Sequence, residues 1–94
     1  MTTYRFAVNV LPRDGILDPQ GRAVEQSLGH LDLGTSQVSG VRVGRRIELT
    51  LDAGTDEEAR TTVERLAEDL FSNPLIEQAS VELLGATSSV LASR

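Results

Sequence analysis

Cysteine, lysine and tryptophan are absent from this chain of 94 residues. Without cysteine there are no disulfides, no zinc thiolates and no thiol redox chemistry. All nine basic residues are arginine, a usage that reads as compositional bias before function. Acidic residues outnumber them, leaving a net charge of −5 and a pI near 4.7. That balance argues against a nucleic-acid partner, because phosphate binding needs clustered positive charge. Aromatic residues are limited to Tyr4, Phe6 and Phe71, so the core is aliphatic and thin. A single domain of this length buries only roughly 60–65% of its unfolded surface. Support from self-association or from a partner is therefore expected. No apolar run approaches the ~18 residues that would span a bilayer. The start, MTTYRFAVNV, lacks the basic-then-apolar layout of a signal peptide, so a soluble cytoplasmic protein is expected.

What is present alternates between two periods. Residues 4–11, YRFAVNVL, place Tyr4, Phe6, Val8 and Val10 on one face, the pattern of a half-buried strand. Pro12 and Gly15 break it. Asp18 as N-cap and Pro19 at the first helical position open a helix with Ala23, Val24, Leu28 and Leu31 on its apolar side. Gly29 and Gly34 end it. Residues 37–43, with Val41 and Val43 in alternation, read as a second strand, and residues 46–52 as a third with Ile47, Leu49 and Leu51 inward. Gly44-Arg45 between them suits a type II′ hairpin turn. Thr55 and Glu58 form a capping box for a second helix striped by Ala59, Val63, Leu66, Ala67 and Leu70, and Asn73-Pro74 stops it. Residues 77–84 form a fourth strand through Ala79, Val81 and Leu83. The order β-α-β-β-α-β predicts an α+β, ferredoxin-like fold: a four-stranded antiparallel sheet with two helices on one face. Residues 1–85 form the one expected domain and residues 86–94 a flexible tail.

Chemistry is harder to find. His30 is the sole histidine and no nucleophile neighbours it, so it reads as a surface or structural residue, not a general base. One histidine with scattered carboxylates makes no metal cluster. Asp56, Glu57, Glu58, Glu64, Glu68 and Asp69 read as a solvated helix face, or as a docking face for a basic partner. Arg42, Arg45 and Arg46 surround the expected hairpin turn; they either grip a phosphate or a partner carboxylate or serve as solubilising charge. An RNA-recognition module of the same strand order needs exposed aromatics on its central strands, and RIELTL has none.

The stretch DGILDPQG, residues 14–21, remains. Asp18-Pro19 starts a helix, but Gly21 falls inside its first turn, where glycine costs about 1 kcal/mol relative to alanine. A close backbone approach that a Cβ would block is the expected compensation. Gln20 sits one position too early for a capping box. Ile16 and Leu17 are aliphatic in a loop; they either plug the open end of the core or dock on another chain.

Three blocks carry a family resemblance. PR-x-GILDPQG-x-A (Pro12 to Ala23), VR-x-GR-x-IEL (Val41 to Leu49) and NPLIE (Asn73 to Glu77) occur in order, over nearly the whole chain up to residue 83. They resemble the PurS family, the small subunit of phosphoribosylformylglycinamidine synthase. Two departures stand out: Arg45 replaces the usual lysine after Gly44, and residues 30–40 are longer by about two residues than the family pattern. The resemblance implies a subunit with no active site of its own. It implies a synthetase partner (PurL-like) and a glutaminase partner (PurQ-like), in a ligase complex that makes an amidine for purine biosynthesis and uses ATP, magnesium and glutamine. It implies a homodimer or homotetramer that bridges the other two and supports ammonia transfer, with no cofactor bound by this chain alone, and no nucleic acid or membrane partner. The candidate contact residues are Arg13, Gly15, Ile16, Leu17, Asp18, Gln20 and Gly21 in one loop, and Arg42, Gly44, Arg45 and Arg46 in the other. Two readings compete: a stand-alone dimeric amino-acid-binding regulatory module, with Gly15 and Gly21 forming the ligand pocket, and a small dimeric enzyme using His30.

Overall fold

A computed structural model of the chain describes residues 1–30 and 38–88. Its elements are β1 (Thr2–Pro12), α1 (Pro19–Gly29), β2 (Arg45–Ala53), α2 (Asp56–Leu66), a π-helical turn (Ala67–Phe71) and β3 (Glu77–Ser88). The sheet is antiparallel throughout, in the order β2-β1-β3. β1 takes the centre because it is the strand whose apolar alternation is strongest, and a central strand is buried along its length. Phe6 lies opposite Leu49 on one side and Leu83 on the other, with a bulge between Arg5 and Phe6 on the β3 side.

The two faces of the sheet follow the period of two. Tyr4, Phe6, Val8 and Val10 are buried on one face, flanked by Ile47, Leu49 and Leu51 from β2 and by Val81 and Leu83 from β3. α2 covers this face with Ala59 and Val63, the π turn adds Ala67, and the Arg60 guanidinium stands 5.8 Å over the Phe6 ring. The opposite face is polar. Arg46 reaches across all three strands there, donating to Glu48 at 3.0 Å, Asn9 at 3.1 Å and Glu82 at 3.3 Å. α2 begins as its sequence dictates. Thr55 Oγ1 accepts from the Glu58 N–H at 3.1 Å, and Glu58 reaches back to the Gly54 N–H at 3.3 Å. Helical structure continues through the π turn to Phe71, and Asn73-Pro74 follows where a stop was expected.

Four expectations need correction. Residues 38–44 form no strand, so among the described residues the sheet has three strands and not four. The segment is tied instead to the start of α1, through the Val43 N–H and the Asp18 carboxylate, and to the end of β1, through the Arg42 side chain and the Pro12 carbonyl. The hairpin turn at Gly44-Arg45 is absent: Arg45 is already the first residue of β2, paired with Val10. Gly44 is needed for another reason, because a Cβ there would collide with the Val10 carbonyl. Finally, α1 does not lay its apolar side on the sheet. Val24 is 41% exposed and Leu28 only half-buried, while Leu31 lies outside the described residues. The β2 half of the apolar face is consequently only half-covered. β3 runs past the expected boundary at residue 85 to Ser88; the remainder of the expected tail lies outside the described residues.

Core and surface apolar side chains should differ sharply in cost. Phe6→Ala, at a fully buried site in a core with few large side chains, is expected to lower unfolding free energy by about 3–5 kcal/mol in urea titration. Leu70→Ala, at a site 70% exposed, should stay within about 0.5 kcal/mol of the parent.

Candidate functional site

Parts of the three sequence blocks that carry the family resemblance meet at one end of the sheet. The loop after β1, the segment entering β2 and the turn before β3 are tied together there by side-chain and backbone bonds.

Gly21 is the first knot. It is buried, and a Cβ on it would fall closer than 3.0 Å to both the Val41 carbonyl oxygen and Asp18 Oδ2. The backbone of the 38–44 segment therefore lies flush against the first turn of α1, the close approach that a glycine inside a helix implied. Asp18 makes the second knot. It occupies the N-cap position, yet its side chain makes no capping hydrogen bond. Oδ2 accepts from the Val43 N–H at 2.9 Å instead. That bond is the main reason the Asp18 carboxyl is held below its ordinary pKa of 3.8, with the nearby Gly21 and Gln20 N–H groups and the Arg42 charge assisting. Asp18 thus joins two loops where the sequence suggested only the start of a helix.

The arginines that looked like one grip are distributed. Arg42 donates to the Pro12 carbonyl at 3.0 Å and pairs with Asp14 at 3.3 Å. Arg45 forms a two-pronged pair with Glu77, at 2.8 and 3.1 Å, and also donates to the Phe71 carbonyl at 2.5 Å. This pairing holds Glu77 below the usual carboxylate range, helped by the Asn73 N–H, and raises Arg45. Arg46 belongs to the polar face, where Glu48 and then Glu82 raise it. All three are engaged within the chain, each with different partners. Arg13 donates its backbone N–H to the Ile76 carbonyl at 2.9 Å and its Nε to the Pro74 carbonyl at 2.8 Å.

These ties leave aliphatic side chains outside. Ile16 and Ile76 line one hollow of about 440 Å³ together with Leu17, and Leu17 is 71% exposed. Leu75, beside Ile76 in the turn, is 86% exposed. Ile16 and Leu17 therefore do not plug the core. Leu75 and Ile76 were missing from the sequence-based candidates; the signal was two adjacent aliphatics directly after a helix-stopping proline. Gly15 takes a left-handed φ of +82° in open space, and Gln20 is exposed. The chain's own Val41 backbone fills the space beside Gly21. His30 is exposed at the end of α1. Among the described residues no group of three or more His, Asp or Glu side chains is placed to hold a metal ion, and no helix is long and apolar enough to cross a membrane.

Comparison with known proteins gives a consistent result. The family model described as PurS: Phosphoribosylformylglycinamidine (FGAM) synthase matches residues 5–85. A phosphoribosylformylglycinamidine synthase subunit PurS from Mycobacterium leprae is 39% identical over 82% of this chain and 91% of its own length. The counterpart from Synechocystis is 34% identical, over 94% and 86%. Among solved structures, a chain of PurLQS from Thermotoga maritima superposes with a TM-score of 0.74 at 30% identity, covering 89% of this chain and all of that one. Bacillus subtilis PurS superposes with a TM-score of 0.72 at 32% identity, covering 87% and 99%.

The same substitution at two glycines of α1 should have opposite signs. Gly29→Ala, with open space around its Cβ, is expected to stabilise by about 0.5–1 kcal/mol. Gly21→Ala should destabilise by about 1–3 kcal/mol despite its gain in helix propensity, because backbone atoms block the Cβ. Thermal and urea unfolding of both variants check this. Asp18 makes a pH prediction. Its folded pKa is lowered, so its contribution is complete above the ordinary 3.8 and is lost as pH falls through the depressed value. The urea midpoint of Asp18→Asn should therefore fall less steeply than that of the parent on acidification below about pH 5.

Proposed function

Because the chain belongs to the PurS family, we propose that it is the small, non-catalytic subunit of a phosphoribosylformylglycinamidine synthase complex in purine biosynthesis. In this reading it bridges a PurL-like synthetase and a PurQ-like glutaminase and supports ammonia transfer between them. The synthetase and glutaminase hold the ATP, magnesium and glutamine of the reaction, and the complex works in the cytoplasm. The likeness to a chain of PurLQS from Thermotoga maritima, over that chain's whole length, supports this place in an assembly.

One observation carries the assignment of the contact surface. The family's three sequence blocks converge on one end of the sheet, bind one another there, and leave Ile16, Leu17, Leu75 and Ile76 facing solvent. Exposed aliphatics on internally braced loops are what an interface needs and an isolated domain does not. Arg13, Arg22 and Arg42 line the hollow beside Ile16 and Leu17 together with Asp14, Asp18 and Glu25, so its rim carries both signs of charge. A bridging subunit of this kind contributes by position: it holds two active-site mouths aligned and water out, so that ammonia reaches its acceptor before it is lost.

Self-association completes the picture. The half-covered apolar face along β2 and the exposed Val24 of α1 support a homodimer or homotetramer. The finer four-stranded, ferredoxin-like arrangement would need a further strand at an outer edge of β2 or β3, each of which is paired on one side only among the described residues.

Reconstitution tests the reading. Mixing this chain with the synthetase and glutaminase subunits should restore glutamine-dependent amidine formation, and omitting it should abolish that activity. Leu17→Asp should lose assembly while keeping the parent's circular dichroism spectrum. A fully active complex with that variant would refute the contact surface.

A further inference from the structure

We propose that a second copy of this chain pairs with the outer edge of β2, strand to antiparallel strand, with the Leu49 residues of the two copies opposite one another on a twofold axis. The inference rests on the self-association reading above and deepens it, because it assigns that association one surface and one register.

Among the described residues β2 and β3 are the edge strands of the sheet. The two edges differ. β3 contains Gly85, and its pairing with β1 shifts register between Arg5 and Phe6. A bulge of this kind twists an edge away from new partners. β2 runs for nine residues with no glycine, no proline and no shift in its pairing. A long regular edge is a template for another strand. Its inward residues Ile47, Leu49 and Leu51 are packed against the core but only half-buried. An antiparallel neighbour sets an apolar side chain beside each of them.

The charges on β2 select the register. Opposed residues share a face, so the two copies must align apolar against apolar, and a slip of one residue breaks that match. With Leu49 on the axis the whole of Arg45–Ala53 overlaps, and every other alignment shortens the ladder. Ile47 then meets the partner's Leu51. On the polar face Arg46 meets the partner's Asp52, and Glu48 meets the partner's Thr50, an exposed residue whose hydroxyl can donate to it. Each of these pairs occurs twice. Moving the axis to position 48 sets the two Glu48 carboxylates opposite each other. Moving it to position 50 sets Glu48 opposite the partner's Asp52. Like charges directly opposed destabilise a cross-strand pair, so both shifts are disfavoured. Arg46 already bonds Glu48 and Asp52 already accepts from Thr3 Oγ1, which holds both charges on the polar face of the sheet. The product is one continuous sheet, β3-β1-β2 followed by the same strands of the partner in reverse, with both apolar faces on one side.

Sedimentation of the purified chain and distances between spin labels test this. Leu49→Arg puts two guanidinium groups on the axis and is expected to sediment as half of the parent assembly, with the far-UV circular dichroism spectrum retained. Asp52→Arg lies on the polar face, away from the core, and serves should Leu49→Arg fold poorly. It faces Arg46 of the partner subunit and is expected to raise the dissociation constant about tenfold or more. The chain has no cysteine, so one introduced cysteine carries one nitroxide per copy. Glu48→Cys and Thr50→Cys should give equal separations, with Cα atoms about 8 Å apart, and Asp52→Cys a separation of about 20 Å. Unequal separations at 48 and 50 overturn the register. Labels more than about 20 Å apart at both positions mean that the sheets stack by their apolar faces. That result overturns the edge pairing and leaves self-association standing, as does an assembly unchanged in both arginine variants. A parent chain that sediments as a monomer overturns the self-association reading and this proposal together.

Discussion

A backbone carbonyl, that of Val41, stands where any side chain at position 21 would place its Cβ. The rest of this molecule's functional end depends on that exclusion. Because Gly21 has nothing to displace, the 38–44 segment can lie against the first turn of α1. Because it lies there, the Val43 N–H reaches the Asp18 carboxylate, and Gly44 and Arg45 enter β2 at the place where Arg45 meets Glu77. An N–H···carboxylate bond is charge-assisted and roughly twice as strong as a neutral one. An exposed loop that would otherwise be slack is therefore tied at two points, and the glycine that weakens the helix locally is repaid in the geometry of the site.

The same economy is visible in what the fold leaves undone. One helical segment, α2 with its π turn, covers the apolar face, and the small residues Ala59 and Ala67 allow close approach but bury little area themselves. α1 is tethered by its first turn and contributes almost nothing to the core. Its apolar side and the β2 half of the sheet face are both unfinished, and both are apolar. Unsatisfied apolar surface on a domain this small is a thermodynamic invitation to association. The polar face of the sheet makes the contrast clear. There Arg46 satisfies three partners on three strands, and no comparable apolar surface remains.

Much of this was legible in the sequence, and the failures share a cause. β1, α2 with its capping box, and the inward residues of β2 were readable because local period and local hydrogen bonding agree there. The compensation for Gly21 was readable in kind, as a backbone approach, though its partner was not. Val41 and Val43 misled because alternation reports that a segment is extended, not that it has a strand beside it. Gly44-Arg45 misled for a related reason: glycine serves tight turns and close packing equally, and only the position of the Val10 carbonyl distinguishes them. Asp18 was placed correctly as the residue before a helix, but a carboxylate chooses among nearby N–H groups, and the winner lies 25 residues away. The separation of Arg42, Arg45 and Arg46 onto different partners was beyond any local rule, since every partner except Glu48, two residues from Arg46, comes from a distant part of the chain. Leu75 and Ile76 were overlooked because aliphatics in a short turn resemble the edge of a strand until the turn's own hydrogen bonds show which way they face.

Thin core and braced docking end are best understood as one arrangement. A partner that binds only the folded chain stabilises it in proportion to the logarithm of its concentration relative to the dissociation constant, worth about 2.7 kcal/mol at a hundredfold excess. That is a large share of what a domain this small can hold by itself. For a subunit with the proposed work of keeping two other active sites in register, there is no need for high stability alone, but there is a strict need that the contact loops be in place before the partners arrive. Loops ordered only on contact would spend binding energy on their own ordering. Hydrogen-bonded ties through Asp18, Arg13 and Arg45 supply that order locally and cheaply in buried area, in a chain that has little apolar area to give. The interface can then supply the global stability that the core omits.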